Sequence, residues 1–97
     1  MSVLAHSVPA GSEAAWGRLS AAVMAGPAVV PCAGRGRALW HGTAGEQVVA
    51  ARACLECPVM VLCDRYATAA AERFGTWGGL TESERREAQR RAQEMTA

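Results

Sequence analysis

Lysine is absent from this sequence: all ten basic residues are arginine, and nine acidic residues leave a formal net charge of +1. That balance excludes an overall positive field strong enough to draw the chain nonspecifically to nucleic acid or anionic membrane. The arginine bias fits a GC-rich coding sequence as readily as a preference for forked contacts. Aromatic residues are scarce as well. Trp16, Trp40, Tyr66, Phe74 and Trp77 are the full set, and much of the 51% hydrophobic content is alanine, which buries little surface per residue. In a chain of 97 residues so thin a core calls for a staple: disulfides, a metal or a partner. No apolar run is long enough to cross a bilayer, the stretch from Ala21 to Pro31 being short and broken by Gly26 and Pro27. The first basic residue is Arg18, so no charged leader is seen and a cytoplasmic chain is expected. A nucleophile and base at motif spacing, a nucleotide-binding glycine loop and an internal repeat are all missing, which argues against a hydrolase or transferase.

Four cysteines are present. In a reducing cytoplasm they point to metal or redox chemistry before structural disulfides. Cys32, Cys54, Cys57 and Cys63 follow the pattern C-x21-C-x2-C-x5-C, three within ten residues and one reaching in from upstream, which favours a single metal centre. An iron-sulfur cluster ranks first on this spacing. Zinc ranks second, because structural zinc sites usually pair two C-x2-4-C knuckles and this chain has one. Disulfides or inert thiols come last. Pro58 fits the first position of a helix whose free N–H groups would suit an anionic cluster, and Arg52 and Arg65 flank the site and could offset its charge.

Along the chain, residues 1–11 read as a loose N-terminal arm. A first helix is expected from Ser12, with Trp16, Leu19 and Val23 on one apolar stripe, ending at Gly26 and Pro27. The segment from Ala28 to Gly42 has no clean period and reads as a loop. Thr43 and Glu46 form a capping-box signature for a second helix through Ala53. A third, expected to be the longest, would run from Pro58 through Tyr66 toward Phe74 and stop at Gly75. The string Gly75-Thr76-Trp77-Gly78-Gly79 reads as a tight turn presenting or anchoring Trp77. Thr81 and Glu84 then open a polar last helix, steadied by Glu82–Arg86 and Glu87–Arg91 pairs. The expected fold class is thus all-α, a small four-helix domain organised around the cysteines, with a cluster-binding unit over 12–80 and a polar helix or tail over 81–97.

Two rare motifs occur in order: Cys54-Leu-Glu-Cys57-Pro58-Val59 with Cys63 and Tyr66-Ala67, then Glu72-Arg73-Phe74-Gly75-Thr76-Trp77-Gly78-Gly79-Leu80-Thr81 with Glu84-Arg85-Arg86. Together they resemble the WhiB-like transcription regulators of actinobacteria and their phages, over about half the chain. The resemblance implies an oxygen- and nitric-oxide-sensitive [4Fe-4S] cluster on Cys32, Cys54, Cys57 and Cys63 and a small helical fold. It also implies action at promoters through the C-terminal region of the primary sigma factor. Apo forms in that family can carry disulfides, and DNA binding is often assigned to the segment after the glycine-tryptophan turn.

On this reading Trp77, with Gly75, Gly78 and Gly79, forms a partner-binding turn in which the indole is an interface anchor, a lid on the cluster, or both. Trp16 and Tyr66 read as core, and His41 has no assigned role. Arg85, Arg86, Arg90 and Arg91 are candidate phosphate contacts. The tail from Leu80 to Ala97 holds four arginines and four glutamates, so promoter DNA is expected to bind weakly without a protein partner. The enzymatic alternative is a disulfide reductase acting in the apo form through the Cys54–Cys57 dithiol. It lacks the strand-helix-strand setting that usually presents such a pair.

Overall fold

Helix α1 (Glu13–Ala25) follows Ser12, as the apolar stripe predicts. The computed structural model describes residues 8–26 and 30–96. Ser12 enters the helix fully buried, its Oγ donating to the Pro9 carbonyl at 2.6 Å. Val8 packs against the core. Residues 8–11 therefore form an anchored turn where a loose arm was expected, while residues 1–7 lie outside the described residues. Ala15 and Leu19 face inward, and Gly26 ends the helix by donating to the Val23 carbonyl. Pro27, expected to share in that stop, lies outside the described residues.

The stretch expected as a loop carries two short 3-10 helices, Pro31–Ala33 and Arg37–His41. Their i to i+3 bonds span too few residues to write a period into the sequence, and Pro31 supplies the φ that the first needs. Helix α2 (Ala44–Cys54) has both capping-box bonds, Glu46 N–H to Thr43 Oγ1 at 3.1 Å and Thr43 N–H to Glu46 Oε1 at 2.8 Å.

The third helix departs from expectation at both ends. Two successive turns, Cys57 N–H to Cys54 O at 2.9 Å and Met60 N–H to Cys57 O at 3.2 Å, precede it. Pro58 sits in the second of these turns, and α3 spans Met60–Ala69. At 10 residues it is the shortest of the four α-helices, not the longest. Ala71, at φ +53, takes the left-handed conformation that the sequence reading reserved for Gly75. The strain of roughly 1–2 kcal/mol is offset locally. Glu72 N–H closes onto the Ala67 carbonyl at 2.9 Å, and Tyr66 donates its hydroxyl to Glu72 at 2.9 Å.

Gly78 and Gly79, at φ +55 and +88, form the centre of a two-residue turn closed by paired Trp77–Leu80 hydrogen bonds. Gly78 is required twice over, since a Cβ there would also stand 2.6 Å from the Asp64 backbone. The second capping box, Thr81 with Glu84, opens α4 (Glu82–Thr96), which at 15 residues is the longest helix. Among the described residues there is no strand beyond the Trp77–Leu80 bridge. The protein is a small all-α domain.

Two small clusters make the core. Ala15, Leu19 and Tyr66 form one, with the Trp16 and Trp77 rings tilted against Tyr66 at centroid distances of 5.1 and 5.5 Å. Trp40, Ala50 and Cys54 form the other. Members of both line a single cavity.

Candidate metal centre

Each cysteine is delivered by a different piece of local structure. Cys32 lies in the first 3-10 helix and is exposed; Cys54 is the last residue of α2 and is buried. Cys57 lies in the connecting turns and Cys63 on α3, both half-buried. All four are free thiols, and all four line the same cavity of about 720 Å³, walled otherwise mainly by apolar side chains such as Leu19, Val23 and Met60.

Burial pushes the Cys63 thiol up to about 11, neighbouring cysteines add to the rise, and a Gly78 N–H bond to the side chain opposes it. Burial first, then Cys57 and Cys54, also raise Cys32. These shifts favour the neutral thiol at Cys63 and Cys32; deprotonating them would call for cationic charge at the cavity, which a metal centre would supply. Among the described residues, no three His, Cys, Asp or Glu side chains are grouped to hold a single metal ion. All four thiols share one cavity lining, and an all-cysteine donor set is one that both an iron-sulfur cluster and zinc accept.

The glycine-tryptophan turn lies on this cavity, lined in part by Thr76, Trp77 and Gly78. Trp77 does not project freely. Its indole N–H donates to the Phe74 carbonyl at 2.9 Å, its ring packs on Tyr66, and it is half-buried. The exposed aromatic of the turn is Phe74, at 67%, with the Arg86 guanidinium 4.9 Å over its ring. Gly75 is buried and donates its N–H to Glu82 at 2.7 Å.

Arg85 is not a phosphate contact. It is 3% exposed and bonds Asp64 at 2.8 Å, the Trp77 carbonyl at 2.8 Å and Thr68 at 3.1 Å. One face of α4 is therefore packed, although the helix reads as polar all round. Arg86 bonds the Arg73 carbonyl, while Arg90 and Arg91 are exposed but paired with Glu87. Arg52 and Arg65, expected beside the cysteines, are both exposed and do not line the cavity; Arg37 and His41 do.

A polar hub passed unnoticed in the sequence. Gln47, buried in α2, donates to Gly42 O and Glu82 Oε1 and accepts from Thr76 Oγ1 and the Glu82 N–H. Its signal was present: Gln47, Ala50 and Cys54 share the inward face of α2, and a glutamine on such a face needs partners.

Comparison with known proteins places this geometry. A family model described as "Transcription factor WhiB" matches residues 29–88, which include all four cysteines and the turn. The chain is similar to the transcriptional regulator WhiD of Streptomyces coelicolor, 51% identical over 39 residues, or 40% of this chain and 35% of that protein. It is similar to the transcriptional regulator WhiB of the same organism, 52% identical over 42 residues, or 43% and 48% of the two chains. The redox-responsive transcriptional regulator WhiB3 of Mycolicibacterium smegmatis is 45% identical over 51 residues, or 53% and 49%. The chain thus spans between about a third and a half of these relatives' length. No solved structure matches it with significance.

Proposed function

This chain belongs to the WhiB family of transcription factors, and from that premise we propose that it is a redox- or nitric-oxide-responsive regulator. It holds a [4Fe-4S] cluster on Cys32, Cys54, Cys57 and Cys63 and acts at promoters through the C-terminal region of the primary sigma factor. The observation that carries this reading is the single cavity shared by all four cysteines and the Trp77–Gly78 turn. When bound, the cluster supplies an oxidant-labile one-electron couple. The four thiolates would hold it, and Trp16, Leu19 and Trp77 line the same cavity. The Gly78 N–H opposes the rise at the Cys63 thiol, which couples the turn to this ligand electrostatically.

That coupling supports a protein partner as the route to promoters, since the turn also presents exposed Phe74. Direct DNA contact is left to Arg90 and Arg91, both already engaged by Glu87, which supports weak DNA binding by the isolated protein. The reductase reading finds no support in the fold: Cys54 ends a helix, whereas dithiol enzymes activate a cysteine at a helix start beside a sheet. Among the described residues no helix is long and apolar enough to cross a membrane, and the proposed site of action is the cytoplasm.

Anaerobic purification tests the proposal. About four irons and four sulfides per chain, with the holo-protein binding the C-terminal domain of a primary sigma factor, are expected. One zinc per chain, or promoter binding with no gain from the sigma factor, would contradict it.

A further inference from the structure

The cavity that gathers the cysteines is lined by Arg37, and no aspartate or glutamate lines it among the described residues. Arg37 opens the second 3-10 helix, is exposed, and has no ion pair or side-chain hydrogen bond among the described residues. On α4 the pattern is the opposite. Arg85, Arg86, Arg90 and Arg91 each meet a carboxylate. An unpaired cation on the lining of a mainly apolar site, which His41 also lines, acts on whatever charge that site holds.

We propose that Arg37 is the charge partner of the cluster and raises its reduction potential; the inference rests on the cluster reading above. Four thiolates around a [4Fe-4S]2+ core carry a net charge of about −2, and one electron from a dithionite-class reductant takes it to about −3 with no bond broken. Arg37 is attracted more strongly to the second state than to the first, so it favours reduction. Arg52 and Arg65 are exposed like Arg37 but lie off the cavity lining, so solvent stands between their charges and the site.

The test is a redox titration of anaerobically purified protein, followed by the paramagnetic signal of the reduced cluster, on wild type, Arg37→Gln, Arg37→Lys, Arg52→Gln and Arg65→Gln. Iron and sulfide are assayed on each sample first. Arg37→Gln is expected to keep its iron and to lower the reduced-to-oxidised ratio at fixed potential by about three- to tenfold, a midpoint about 30–60 mV more negative for a one-electron couple. Arg37→Lys should recover most of the shift, and raising the salt concentration should shrink the difference between wild type and Arg37→Gln. Those results together establish Arg37 as the charge partner. Loaded Arg37→Gln with the wild-type midpoint, or an equal shift in Arg52→Gln or Arg65→Gln, overturns the inference and leaves the cluster assignment standing. Wild type that binds no iron and sulfide overturns both.

Discussion

The two sides of the molecule are held together by different means. Around the cavity, α1, the two 3-10 helices and the Cys54–Met60 turns meet through thin apolar contacts and four cysteines. At the junction of α2, the glycine-tryptophan turn and α4, one buried glutamine and one buried arginine each gather their own set of hydrogen bonds. On the proposed reading the first side gains its cohesion from the cluster. The second carries its own, and it joins the turn to the helix that ends in Cys54. On that reading, a small protein with a shallow core keeps its glycine-tryptophan turn ordered while the cysteine side responds to its ligand.

Breaking the cysteine side should have the largest effect. Replacing any one of Cys32, Cys54, Cys57 or Cys63 by serine is expected to abolish or severely destabilise the cluster, with loss of helicity, because binding there is also folding energy. Iron assay and circular dichroism check this, and full iron with native helicity in Cys32→Ser would remove the upstream ligand from the site.

The hub side should respond as an ordinary buried polar network. Arg85→Met or Gln47→Leu strands several partners and should cost about 2–3 kcal/mol, read as a lower thermal midpoint of the holo-protein with iron content near wild type. The contribution of Asp64 to the Arg85 effect is modest, since its side chain is 45% exposed.

The turn lies between the two sides, and its two aromatics separate their roles. Trp77→Ala is expected both to speed cluster decay in air, because the indole walls the cavity, and to weaken sigma-domain binding by about 2 kcal/mol. Phe74→Ala should weaken binding alone, since Phe74 is exposed and outside the cavity lining. Equal decay rates in the two variants would make Trp77 a pure contact residue.

The smallest expected effect is one of pH. The Gly75 N–H first, then the Gln47 amide, hold the Glu82 carboxyl below the usual glutamate range. A depressed pKa means that its stabilisation is complete above the ordinary glutamate value and fades as acid brings the pH down through the folded-state value. Glu82→Gln should flatten the acid limb of stability relative to wild type, a difference visible in denaturant midpoints.

What the sequence made legible followed from local chemistry. Both capping boxes, the α1 stripe and the glycine-rich turn are written in a few adjacent residues, and so is the clustering of Cys54, Cys57 and Cys63. What it hid depended on long-range packing. Arg85 reads as a solvated charge until Asp64 and the Trp77 carbonyl are brought to it across the fold. The early end of α3 rests on an alanine in a conformation usually given to glycine, held by Glu72 closing back onto the helix. The exposed Phe74 and half-buried Trp77 exchange the positions that three neighbouring glycines suggest, because Tyr66 offers the indole a surface to pack on.

The most direct test of the contrast is backbone hydrogen exchange of the protein before and after anaerobic removal of its iron by a chelator. Amides of α1, the 3-10 helices and the Cys54–Cys63 segment are expected to lose protection, while those joining Gln47, Thr76 and the start of α4 keep most of theirs. Unchanged protection around the cavity after the iron is gone, or loss at the hub first, would contradict the claim that the bound group holds the cysteine side together.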